Sequence, residues 1–281
     1  MQLIDTHCHI NLQNYKDDAD DTIKRALEAS VGMIIVGTDY KSSKKALDLA
    51  NRYQKDVNVA VGLHPESLED RIEKWTGQEQ EISGEVYNAV AYQQLAKFPK
   101  VVAIGEIGLD YFRPDLNKPL IEDLKDRQKK VFWQQLELAL LLKLPVIIHC
   151  RQAHDDLLEM LTDFKRLHKD LLPALQPWGV IHCFSGSEQL AWRYFALDMC
   201  ISFTGLVTFS QQWDSLIKKM PSDRLLLETD APFLTPEPYR GKRNEPILVK
   251  YVADRVAAIR GVSVERVAEF TTDNSRRLFK L

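Results

Sequence analysis

Pro145-Val146-Ile147-Ile148-His149-Cys150-Arg151 is an unbroken apolar run that ends on an imidazole and a guanidinium. Met33-Ile34-Ile35-Val36 repeats the apolar part. A strand with one wet face alternates apolar and polar residues, so runs of this kind belong to strands covered on both faces. Working outward, residues 3–6, 31–36, 58–62, 101–105, 146–149, 180–182, 200–203 and 225–228 make eight such candidates. Segments of helical period lie between them, at 17–29, 42–53, 86–97, 127–143, 155–165 and 244–259. In residues 127–143, Val131, Leu138 and Leu142 share one face. Ser42 and Asn244 stand where N-caps are expected. Repeated β–α alternation over 281 residues predicts an α/β fold, a closed (β/α)8 TIM barrel, as one domain over residues 1–281. An open doubly wound sheet is the alternative, but no GxGxxG turn follows any strand.

The polar residues at the strand ends carry the chemistry. His7 and His9 follow the first strand two apart, so both imidazoles point the same way from an extended chain. Glu106 closes the fourth strand, His149 the fifth and His182 the sixth, while Asp230 lies just past the eighth. In a barrel these ends converge at the face where active sites form. Taken singly, each has a plain reading as a loop residue or a cap. Six metal-type residues on five strand ends are poorly explained that way. Four imidazoles and two carboxylates brought together need compensation, and metal binding is the simplest. Six ligands exceed what one tetrahedral ion needs, so two divalent ions are expected, with Glu106 the candidate bridge. Mg, Mn and Zn all suit parts of this donor set.

Composition narrows the rest. Hydrophobic residues make up 45% and charged ones 27%, which excludes a largely disordered chain. Thirty-seven Lys and Arg against 40 Asp and Glu give a net charge of −3, so only a local patch could hold nucleic acid. Arg240, Lys242 and Arg243 form the one dense basic cluster near the eighth strand. No apolar stretch is long enough to span a membrane and no export signal opens the sequence. Four cysteines do not make a disulfide framework, and a cytoplasmic protein is expected. Cys8, Cys150 and Cys183 should face away from their neighbouring histidines as core fillers. Residues 66–85 and 112–122 read as long rim loops.

His7-Cys8-His9, Gly105-Glu106-Ile107-Gly108-Leu109-Asp110-Tyr111, His149-Cys150-Arg151, His182-Cys183-Phe184-Ser185-Gly186 and Glu228-Thr229-Asp230-Ala231-Pro232 together resemble the signature of the TatD-type metal-dependent deoxyribonucleases. Arg240-Gly241-Lys242-Arg243-Asn244-Glu245-Pro246 and Thr271-Thr272-Asp273-Asn274 are similar to that family too. The resemblance implies an amidohydrolase-like TIM barrel that cleaves DNA phosphodiesters, often as an exonuclease. It implies one metal site from His7, His9, Glu106 and Asp230, and another from Glu106, His149 and His182. Gln152 departs from the pattern, standing where relatives often have Asp.

Phosphodiester hydrolysis needs an activated water and charge neutralisation at phosphorus, and Asp230 is the expected general base as well as a ligand. His64, Arg151, Arg113 and Ser185 are candidate substrate contacts, and Tyr111 could stack on a base. DNA is the expected partner and a monomer the favoured state. Two rivals stay open: an ester or amide hydrolase on the same scaffold, such as an aminoacyl-tRNA deacylase, and a catalytically vestigial metal-binding interaction protein.

Overall fold

A computed structural model describes residues 2–75, 78–112, 122–174 and 176–281. The strands are β1 (Leu3–Cys8), β2 (Val31–Val36), β3 (Val57–Val61), β4 (Arg71–Trp75), β5 (Gln78–Ile82), β6 (Val101–Asp110), β7 (Val146–Arg151), β8 (Gly179–Ile181), β9 (Met199–Phe203) and β10 (Leu225–Leu227). Eight of them form one parallel sheet in the order β1-β2-β3-β6-β7-β8-β9-β10. Its two edges meet where Cys8 pairs with Ala231, so the sheet curls into the expected TIM barrel. The remaining two, β4 and β5, make an antiparallel hairpin inside the stretch read as a loop.

Helices α1 (Ala19–Glu28), α2 (Tyr40–Ala50), α3 (Ala89–Ala96), α4 (Glu122–Leu142), α5 (His154–Leu167), α6 (Glu188–Ala196), α7 (Asp214–Lys219), α8 (Val249–Arg260) and α9 (Val264–Phe279) complete the chain. Of these, α6, α7 and α9 were not among the expected helices, and α9 closes the barrel floor. Leu278 and Phe279 pack with Ile34, Ile147, Val180 and Leu226 in an inner cluster separate from the core beneath the helices. Two caps differ from expectation. Asp39, not Ser42, is the N-cap of α2, and Ser42 sits three residues on, completing a reciprocal capping box. Asn244 starts no helix; its buried amide holds the loop after β10 instead.

The inner cluster shows how the site is positioned. Side chains two apart on a strand share a face. His149 thus follows Ile147 into the barrel, His182 follows Val180, and Glu228 follows Leu226. Apolar rows fill the floor and polar residues extend them at the mouth.

The seam between first and last strands is built on a buried carboxyl group, whose pKa burial pushes well above the ordinary value. Asp5 is fully buried, and its carboxylate accepts Thr229 N–H (2.8 Å), the Thr229 hydroxyl (2.6 Å) and His7 N–H (3.3 Å). Backbone bonds continue the seam, with Asp230 N donating to His7 O (2.9 Å) and His9 N to Ala231 O (2.7 Å). The loop beyond is tied to α1 by Arg243, which donates to both carboxylate oxygens of Asp18 (2.8 and 2.6 Å).

Asp5→Ala is expected to cost about 2–4 kcal/mol of unfolding free energy, because it strands buried donors at the seam. Urea unfolding reads this, and a loss under about 0.5 kcal/mol would mean that backbone pairing alone holds the barrel shut. The hydrogen bonds from Arg243 hold the Asp18 carboxyl below its ordinary pKa. Such a group adds stability above the unfolded pKa of about 3.9 and loses it as pH falls through the lower folded value. Asp18→Asn should therefore be less stable than the wild type by about 1 kcal/mol or less near pH 7. That gap should narrow as pH falls below about 3.9, and one that stays undiminished in acid would contradict the assignment.

Candidate metal centre

Glu106 lies within β6 rather than at its end, and β6 runs on to Asp110. Its side chain is 4% exposed and its two oxygens face different ways. Oε2 lies 3.4 Å from His7 Nε2 and 3.6 Å from His9 Nε2. Asp230 Oδ1 approaches the same two nitrogens, at 3.7 and 3.5 Å. The other oxygen, Oε1, lies 2.8 Å from His182 Nε2, 3.0 Å from His149 Nδ1 and 3.4 Å from His64 Nε2. All six residues singled out in the sequence meet at one mouth, in two groups joined by one carboxylate.

The outer nitrogens decide what the inner ones can do. His9 Nδ1 is 3.0 Å from the Val36 carbonyl, which can only accept, so the proton is on Nδ1 and the Nε2 lone pair faces inward. His182 Nδ1 lies 3.4 Å from Glu228 Oε1 without making a hydrogen bond to it, while Nε2 is directed at Glu106. His149 places Nε2 2.8 Å from Asp110 Oδ2 and Nδ1 toward Glu106. His64 is built the other way. Its Nδ1 accepts Glu66 N–H (3.1 Å), so Nε2 carries the proton and serves as a donor.

His7 Nε2 and His9 Nε2 stand only 3.0 Å apart. Lone pairs that close repel unless a proton or a cation lies between them. Among the described residues, the buried Nδ1 atoms of His7 and His182 have no hydrogen-bond partner. His7, His9 and Asp230 lie close enough together to hold a divalent metal, and Glu106 and His149 form a second group with His64, which in its present tautomer is a donor there rather than a ligand. The donor set fits a cation: mixed imidazole and carboxylate, buried, with inward lone pairs fixed by outer hydrogen bonds.

With protons as the only neutralising charge, the cluster is strongly polarised. Burial alone would raise the Glu106 carboxyl, but His182, His64, His7 and the bond to His149 together hold it well below the usual range. Burial opposes charge on His149 as well, yet Asp110 and Glu106 push it up to about 9. Asp230 is lowered in spite of its burial by His9, His7 and His182.

Asp110 and Glu228 were missed in the sequence. Glu228 is fully buried, accepting Cys183 N–H (2.6 Å) and the Ser202 hydroxyl (2.7 Å) besides facing His182. The signal was parity: Asp110 stands four residues after Glu106 on one strand, and Glu228 two before Asp230.

The mouth opens into a cavity of about 580 Å³ that reaches His64, Arg151 and Ser185. The Arg151 guanidinium is exposed and stacks 3.6 Å above the Phe112 ring. Arg113 lies outside the described residues. Tyr111 is not a free platform, since its hydroxyl donates to Asp156 (2.7 Å) and Lys125 sits over its ring. Arg243 is spent on Asp18 and Glu245. Cys8 and Cys150 pack into the core, as expected, with Cys150 also touching the cavity lining, whereas Cys183 lines the cavity and lies outside the core cluster. Cys183 lies beyond β8 with φ of 45°, where the two-residue strand period no longer applies.

Glu228→Gln is expected to weaken divalent-metal binding about 10- to 100-fold, as loss of an outer carboxylate partner does. Calorimetric titration of metal-stripped protein checks this, and unchanged affinity in a folded variant would remove Glu228 from the centre.

The TatD related DNase family model matches residues 4–280. Metal-dependent hydrolase YabD of Bacillus subtilis (strain 168), itself uncharacterized, is 37% identical over 282 residues, 99% of each chain. The 3'-5' ssDNA/RNA exonuclease TatD of Erwinia billingiae (strain Eb661) is 34% identical over 287 residues, 99% of each chain. The crystal structure of YjjV, a TatD homolog from Escherichia coli K12, superposes with a TM-score of 0.80 at 32% identity, covering 99% of this chain and 98% of that one. Likeness that runs from the first strand to the last helix, in sequence and in fold alike, makes this chain an enzyme of the TatD-related family of metal-dependent hydrolases.

Proposed function

We propose that the enzyme hydrolyses phosphodiester bonds of DNA from a strand end with the help of two divalent ions, both of which Glu106 would help to hold. The observation that carries this reading is the division of Glu106, with one oxygen toward His7 and His9 and the other toward His149 and His182. His7, His9, Glu106 and Asp230 would hold one ion, and Glu106, His149 and His182 the other. When bound, the ions supply Lewis-acid charge that acidifies water and offsets the negative charge building on the phosphoryl oxygens.

The chain's own groups do the rest. Asp230 is the general base: its carboxylate accepts a proton from water as the water oxygen attacks phosphorus in line. The bond from phosphorus to the leaving sugar oxygen breaks, and that oxygen takes up the proton. A carboxylate held ionised, as Asp230 is, suits the accepting role. His64, protonated on Nε2, can donate to a phosphoryl oxygen, while Arg151 and Ser185 at the rim bind the neighbouring backbone. Action at a strand end is supported by relatives named as 3'-5' ssDNA/RNA exonucleases. No helix among the described residues is long and apolar enough to cross a membrane. We read the enzyme as a cytoplasmic monomer.

Metal-stripped protein should leave end-labelled DNA intact, and adding back Mg²⁺, Mn²⁺ or Zn²⁺ should restore stepwise shortening. Asp230→Ala, with metal present, should lose at least about 100-fold in rate. Full turnover in that variant would overturn the assignment of Asp230. Protein that binds two ions yet cleaves no DNA would point instead to carbon-centred ester or amide substrates.

A further inference from the structure

The cavity has a flank that the chemistry above does not use. Phe233, three residues past Asp230, is 47% exposed and lines the cavity with Leu206 and Leu234. Its ring stands edge-on to His9, with centroids 6.4 Å apart.

The ring is held in place by its backbone. Phe233 N donates to Asp230 O (2.9 Å), and the buried Asn244 amide donates to Thr229 O (2.9 Å) and Phe233 O (2.6 Å). The turn that carries Asp230 therefore also fixes where the phenyl stands. Leu234 next to it has φ of 54°, a left-handed conformation that costs energy for a residue with a Cβ. Backbone strain and an exposed phenyl beside a reactive centre both need a purpose that the core does not supply.

The neighbourhood says what would fit. The cavity floor is carboxylate and imidazole, whereas this flank offers a ring and two aliphatic side chains. Arg151 stands across the mouth, three strands away in the barrel order. A nucleotide has the matching layout, with a charged phosphate joined through its sugar to a planar face of low polarity. Stacking on an aromatic ring is tolerant of base identity because every base has a π-face. A base paired and stacked within a duplex has no such face free.

We propose that Phe233, flanked by Leu206 and Leu234, forms a subsite for one unpaired nucleobase next to the scissile phosphate. This rests on the phosphodiesterase reading above. The subsite makes an unstacked strand end the preferred substrate and sets the distance from the bound base to the cleaved bond.

The test compares single-stranded oligonucleotides that carry a normal or an abasic nucleotide on either side of the scissile bond. For one of the two positions, the wild type should cleave the normal strand roughly 5- to 150-fold more efficiently in kcat/KM than its abasic counterpart. In Phe233→Ala that ratio should collapse to near one, and Phe233→Tyr should preserve it. A side chain that merely supports the fold would lower both substrates together and leave the ratio intact, which would overturn the subsite. A wild-type ratio near one at both positions would overturn it too, with the nuclease reading untouched. Absence of cleavage of any strand by metal-loaded wild type would overturn the nuclease reading itself.

Discussion

A carboxylate buried as deeply as Glu106 can stay ionised only if opposite charge meets both of its oxygens. Removing a carboxylate from water costs several kcal/mol after relaxation, and the interior returns this only through close, well-directed partners. Much of the mouth can be understood as meeting that requirement. Five imidazoles ring the carboxylate: His7 on β1, His9 just after it, His64 after β3, His149 on β7 and His182 just after β8. Parallel strands make this possible, because all their C-terminal ends open on one face.

Around that ring runs a second set of acceptors. Asp110 faces His149, Glu228 faces His182, and the Val36 carbonyl faces His9. At His149 and His9 this contact is a hydrogen bond that fixes a proton on the outer nitrogen and so turns a lone pair toward the centre. Asp5 belongs to this outer layer in another sense, since it closes the seam that brings β1 against the Thr229-Asp230 turn. Without that seam, His7 and His9 would have no fixed relation to Asp230. Fold stability and site geometry thus meet in the same few buried carboxylates.

Much of this was legible in the sequence. Unbroken apolar runs announced strands buried on both faces, and the metal-type residues marked the ends of five of them. Asp110 escaped because β6 was expected to stop at Gly105, which left Asp110 looking like a loop residue. Glu228 closed the expected strand at 225–228 but was passed over because Asp230, two residues on, was read as the acid of that strand end, although counting by twos from Leu226 puts Glu228 inside the barrel. The hairpin of β4 and β5 was hidden because a two-stranded ribbon that pairs only with itself leaves no pattern of repeated strands in the sequence. Phe233 was passed over after Asp230-Ala231-Pro232, since an aromatic residue in sequence says nothing of whether it is buried or faces a cavity.

The central claim is that Glu106 belongs to both donor groups at once. Counting the metal ions bound per chain in wild type and in Glu106→Ala, by elemental analysis after equilibrium dialysis, tests it most directly. The account predicts two ions per chain in the wild type and loss of high-affinity binding at both sites in the variant. A wild type that binds one ion, or a folded variant that keeps one at full affinity, would contradict the shared carboxylate.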